Sequence, residues 1–117
     1  SVALRDGAPV LALGTPGSYG ILQTQPQVYS YLLDFGMTLQ EAIEAPRVRL
    51  WDGTLVHMES RVSTPAIDSL RARGHDIELI EPWSRKVGGF QGVYRDPASG
   101  ALFGGADPRR DGYAIAT

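Results

Sequence analysis

The stretch whose residue types most invite chemistry is Gly14-Thr15-Pro16-Gly17-Ser18-Tyr19-Gly20. It follows the apolar run Val10-Leu11-Ala12-Leu13 and precedes a segment with helical spacing from Ile21 to Phe35. Where a strand breaks at glycine and proline and then opens a helix, the first backbone N–H groups have no intrahelical acceptors. They are free to point at an anion or a developing oxyanion. The turn lacks the Lys-Ser/Thr of a nucleotide P-loop, and Gly14, Gly17 and Gly20 do not match a dinucleotide fingerprint. A turn that needs glycine for backbone reasons alone explains the stretch too, and on residue types that plainer reading leads.

The other candidates are weaker. His57 and His75 are the only histidines, and no carboxylates at ligand spacing accompany them, so ordinary histidines are preferred to a metal site. No metal and no cofactor is expected. Asp107-Pro108-Arg109 reads as a substrate clamp or, by preference, as a turn tied down by an Asp–Arg pair. Gln91 could orient a substrate, although a plain strand position suffices. Ser1 could act as a nucleophile only with its own α-amine as base, and an N-terminal serine is also a common result of trimming.

These residues need elements to hold them. Asp6-Gly7 between Val2–Leu4 and Val10–Leu13 predicts a hairpin, the second strand apolar enough for burial on both faces. Pro26 should kink the helix that follows or move its start to about Gln25, and Gly36 should close it. Thr38 and Glu41 predict a capping box for a short helix through Glu44, stopped by Pro46. Val48–Leu50 and Thr54–Glu59 read as a hairpin around Asp52-Gly53. A third helix starts at Ser63 or Thr64 with Pro65 in its first turn, turns Ala66, Ile67 and Leu70 inward, and ends at Gly74. Ile77–Ile80 is a strand, and residues 82–89 form a loop. Phe90–Tyr94 and Ala101–Phe103 pair across a turn, and Tyr113–Ala116 is a last strand. Hairpins with helices between them indicate an α+β fold or a layered sandwich, not a doubly wound sheet.

The totals set bounds. A chain of 117 residues is one domain at most, and 43% apolar with 21% charged residues excludes wholesale disorder. A net charge of −2 offers no footprint for nucleic acid. Without cysteine there are no disulfides and no thiolate metal sites. No apolar run reaches membrane-spanning length. The start, Ser1-Val2-Ala3-Leu4, lacks methionine and is already strand-like, so a piece processed or excised from something longer is expected.

Taken together, several motifs resemble one family. Gly14-Thr15-Pro16-Gly17-Ser18, Gln27-Val28, Asp34-Phe35-Gly36-Met37, Leu39-Gln40-Glu41-Ala42 and Ala45-Pro46-Arg47 are similar to the C-terminal half of the small subunit of γ-glutamyltranspeptidases. Leu70, Gly74-His75, Gln91 and Gly105-Ala106-Asp107-Pro108-Arg109 continue in the family's order, so the likeness covers nearly the whole chain. It implies a single segment, residues 1–117, of an N-terminal-nucleophile hydrolase with an αββα four-layer sandwich.

The resemblance further implies a precursor that cleaves itself and frees a threonine to attack a γ-glutamyl amide. The backbone amides of Gly17 and Ser18 would form the oxyanion hole, while Tyr19, as a substrate-binding residue, and Gln23 would line the entrance. Ser18 departs from the family's glycine and, with Tyr19, could reshape the acyl pocket. The threonine, the paired serines and the acidic residue that hold the substrate would lie upstream of Ser1, which excludes Ser1 as nucleophile. The implied partners are the large subunit and the upstream part of the small subunit, or a second copy, with a γ-glutamyl or other acyl-amide small molecule as substrate. A related acylase of the cephalosporin acylase kind, and a non-catalytic assembly module, are the alternatives.

Overall fold

A computed structural model describes residues 1–115. In chain order the elements are β1 (Val2–Arg5), β2 (Ala8–Gly14), α1 (Ile21–Leu33), α2 (Leu39–Glu44), β3 (Val48–Asp52), β4 (Leu55–Glu59), α3 (Thr64–Ala72), β5 (Asp76–Ile80), β6 (Gln91–Arg95) and β7 (Leu102–Ala106). Single 3₁₀ turns occupy Ser18–Gly20 and Arg85–Val87. The strands form an antiparallel four-stranded sheet, β1-β2-β6-β7, and a three-stranded sheet, β3-β4-β5. In the smaller sheet β3 runs antiparallel to β4, whereas β5 lies parallel to it after the α3 crossover. The fold is α+β.

Local chemistry accounts for the joints. Asp6 and Gly7 both take positive φ, 51° and 79°, as a tight hairpin between right-twisted strands requires. Thr38 and Glu41 form the reciprocal capping box: the Thr38 side chain accepts from the Glu41 N–H, and the Glu41 carboxylate accepts from the Thr38 N–H. Pro26 neither starts nor ends α1, which runs through it. Pro26 and Leu22, one turn earlier, are both exposed, so the hydrogen bond that proline removes lies on the solvent side.

Three other expectations change. β2 buries Leu11 and Leu13 but leaves Ala12 exposed, so among the described residues only one of its faces is covered. Ala66 is exposed, and Ile67 with Leu70 supplies the inward face of α3. Gly112–Ile115 form no strand, and Ala116 lies outside the described residues.

Two cores result. Leu11, Leu13 and Phe90 pack with Val28 of α1 and with Leu39, Ala42 and Ile43 of α2. Gly92 and Gly105 allow that approach: a β-carbon there would come within 2.8 Å of Leu13 and 2.7 Å of Ile43. Val56, Met58 and Ile77 pack against Ile67 of α3.

Three glutamines tie helices to strand edges. Gln23 and Gln27, one turn apart on α1, each exchange two hydrogen bonds with the backbone of Leu50 and Val48 respectively, at 2.6–3.0 Å. Gln40 does the same to Ala106, at 2.9 and 3.1 Å. Each carboxamide reproduces one rung of a β-ladder on an edge strand, β3 or β7.

Candidate active-site turn

The turn at residues 15–18 is shaped by its neighbours. Gly17 has φ 143°, and Ser18 follows at φ 47°, a left-handed conformation that costs a side-chain-bearing residue about 1–2 kcal/mol. Against it lies Gly88, also at positive φ, 90°. A β-carbon on Gly88 would meet Thr15 Oγ1 at 2.5 Å and the Pro16 carbonyl at 3.3 Å. The Gly89 N–H donates to Thr15 Oγ1 at 2.9 Å, and that hydroxyl donates to the Pro16 carbonyl at 2.8 Å. Neither the Gly17 nor the Ser18 amide reaches a protein acceptor among the described residues. The site therefore presents two consecutive N–H donors in a braced backbone. Gly17 is half-buried and Ser18 exposed. The sequence reading missed Thr15 and the glycine pair at 88–89, although two adjacent glycines in a loop are themselves a sign of close backbone approach.

Tyr19 is 59% exposed and sets its ring edge-on to Trp51, centroids 6.1 Å apart. Trp51 in turn stacks on His57, and the Arg49 guanidinium lies 4.5 Å from the Trp51 ring centre. Arg49 Nε donates to His57 Nδ1, so the proton of a neutral His57 sits on Nε2, facing Glu78. Burial lowers the His57 pKa; Glu78 opposes the shift, while Lys86 and Arg49 reinforce it. Both ends of the Gln23 amide are engaged with Leu50.

Asp107 and Arg109 belong to a buried ionic knot, not to a clamp on a ligand. Arg47 pairs with Asp107 at 2.5 Å, and Arg109 pairs with Asp107 at 3.0 Å and with Glu59 at 2.6 Å, all four side chains fully buried. Burial alone would raise the Asp107 carboxyl, but Arg47 and the N–H groups of Arg109 and Phe90 hold it below its usual value. Glu59 also accepts from the Ser84 N–H, and Arg47 Nε donates to the Val87 carbonyl. The knot thereby anchors both ends of the loop that carries Gly88. Ser1 extends the β1–β2 ladder through Leu13, and its hydroxyl donates to the Leu13 carbonyl. Gln91 is exposed on β6, and His75 is exposed after α3.

No helix among the described residues is long and apolar enough to cross a membrane. The family model for γ-glutamyltranspeptidases matches residues 1–117. The chain is 33% identical to the glutathione hydrolase-like YwrD proenzyme of Bacillus subtilis, over 98% of its own length and 23% of that protein. It is 37% identical to the acylase ACY 1 proenzyme of a Pseudomonas species, over 98% of itself and 20% of that protein. The chain thus spans about a fifth of the curated relatives it matches. The solved γ-glutamyltranspeptidase of Pseudomonas nitroreducens superposes with a TM-score of 0.85 at 28% identity, covering 100% of this chain and 60% of that one. A match along the full length, joined to agreement of the whole fold, places this chain in the γ-glutamyltranspeptidase family.

Proposed function

We propose that residues 1–117 form the C-terminal portion of the small subunit of a γ-glutamyltranspeptidase-like N-terminal-nucleophile amidohydrolase. In this reading the Gly17 and Ser18 amides hold the oxyanion, and the nucleophilic threonine comes from upstream. The observation that carries it is the pair of unpartnered consecutive amides, braced by Thr15 and by Gly88-Gly89. Backbone donors fixed before the reaction stabilise developing negative charge without reorganising, and one such donor is typically worth about 10²–10³ in rate. The upstream segments would also cover the outer face of the larger sheet, where Val2, Ala12, Val93 and Leu102 are exposed.

A related acylase is the second reading, favoured by Ser18 and Tyr19 beside the oxyanion site and by the similarity to acylase ACY 1. The test is hydrolysis of γ-glutamyl-4-nitroanilide and of glutaryl-4-nitroanilide, which lacks the α-amine, by the full-length processed protein. Preference for the first supports the transpeptidase reading, and preference for the second supports the acylase. Turnover of neither overturns both. Gly88→Ala, whose methyl would push Thr15 out of place, is expected to lower kcat about 10²-fold, the usual cost of a 1 Å misplacement.

A further inference from the structure

The smaller sheet has two unlike faces. One carries Val56, Met58 and Ile77 into the α3 core. The other carries Arg49, His57 and Glu78, aligned across three strands by the register Arg49↔His57 and His57↔Glu78. This second face looks toward the oxyanion turn: a β-carbon on Gly20 would lie 3.6 Å from Arg49 Cδ. Trp51 and Tyr19 complete it.

Arg49 is poised unusually. Its Nε is held by His57, but neither Nη makes a hydrogen bond among the described residues, and no carboxylate pairs with it at salt-bridge distance there. The nearest acid, Glu78, already faces His57 and Lys86. A guanidinium stacked on an indole keeps its in-plane N–H edge available, and that edge matches a carboxylate with two parallel hydrogen bonds. The half-exposed rings of Trp51 and Tyr19, 46% and 59% accessible, offer apolar surface beside it. This arrangement fits an anion attached to a planar group.

We propose that Arg49, Trp51 and Tyr19 form a subsite for a carboxylate-bearing planar portion of the substrate, adjoining the oxyanion turn. The proposal rests on the amidohydrolase reading for its placement, and two sources of the carboxylate are distinguishable. On the leaving-group side, the full-length processed protein is compared on 3-carboxy-4-nitroanilides and plain 4-nitroanilides. On the acyl side, 4-carboxybenzoyl and benzoyl 4-nitroanilides are compared. Arg49→Gln is expected to lower the carboxylate-to-uncharged ratio of kcat/KM about 10-fold on one of the two sides, the effect of one charge-assisted contact. Trp51→Leu is expected to lower the same ratio, and Arg49→Lys to restore part of it.

Ratios on both sides that stay within about two-fold of the parent in Arg49→Gln overturn the subsite. If no anilide is turned over, the amidohydrolase reading fails, and calorimetric titration with N-benzoylglycine decides the subsite by itself. Binding weakened about 10-fold in Arg49→Gln supports it. Equal binding to both proteins, or none to the parent, overturns it. Thermal unfolding of each variant is checked first, and a variant that fails to fold is replaced by Arg49→Met.

Discussion

Ser18 holds a conformation that glycine adopts freely. At φ 47° its β-carbon crowds the following carbonyl; its carbonyl accepts from the Ile21 N–H, but its hydroxyl has no partner among the described residues. In the proposed reading this strained residue stands beside an oxyanion donor, at a position where glycine would hold the same backbone without strain. Ser18→Gly should relieve the strain, while the more flexible unfolded chain takes back part of the gain. The expected outcome is a net rise in stability of up to about 1 kcal/mol, read as a higher urea midpoint at unchanged slope for the full-length protein. A fall in the midpoint would mean that the serine side chain makes a stabilising contact with the upstream part of the protein. Because the donor proposed here is a backbone amide, the substitution should change acyl preference more than it changes kcat.

Among the elements, the glutamine rungs explain how α1 and the smaller sheet keep a fixed relation. β3 is an edge strand, and the outward backbone groups of Val48 and Leu50 would otherwise lack ladder partners. Gln27→Leu keeps the volume but leaves the N–H and C=O of Val48 without those partners, at an expected cost of about 2 kcal/mol. Chemical denaturation reads the loss, and Gln27→Glu, which restores an acceptor for the N–H alone, should recover only part of it. None of this was legible from spacing, since a glutamine on a helix looks like any solvated residue until the strand opposite is known. Hairpins and caps were legible because their chemistry is local: Asp6-Gly7, Thr38 with Glu41, and Gly36 each specify a backbone conformation within a few residues. The proposed oxyanion pair, Gly17 and Ser18, was singled out only through the family motif. Its brace, Gly88 against Thr15, joins positions distant in sequence, and the adjacent glycines 88–89 marked a close approach without naming the partner. The strand expected at Tyr113–Ala116 does not form over residues 113–115, although β7 beside them is an edge strand, and nothing in the structure explains why.

At the scale of the molecule, two features decide whether these parts act together. The first is the knot of Arg47, Glu59, Asp107 and Arg109, which joins the end of α2, the end of β4, the chain after β7 and the loop carrying Gly88. Breaking it by Asp107→Asn leaves two buried guanidiniums short of negative charge, at an expected cost of about 3–5 kcal/mol. The pH dependence has a definite sign. Because the folded Asp107 pKa lies below its unfolded value, the contribution is fully present above the unfolded value and is lost as pH falls through the folded one. Acid unfolding of the parent should therefore be steeper than that of Asp107→Asn. The second feature is the outer face of the larger sheet. Val93, 46% exposed, and Leu102, 68% exposed, point away from both cores of this chain. Were that face a true surface, Val93→Asp would shift stability by no more than about 0.5 kcal/mol. If instead the upstream part of the protein packs on it, the same substitution buries an unpaired carboxylate and removes apolar contact, and the full-length protein should lose several degrees in Tm. A Tm unchanged by Val93→Asp would show that the face is free in the whole protein, and would remove the proposed cover.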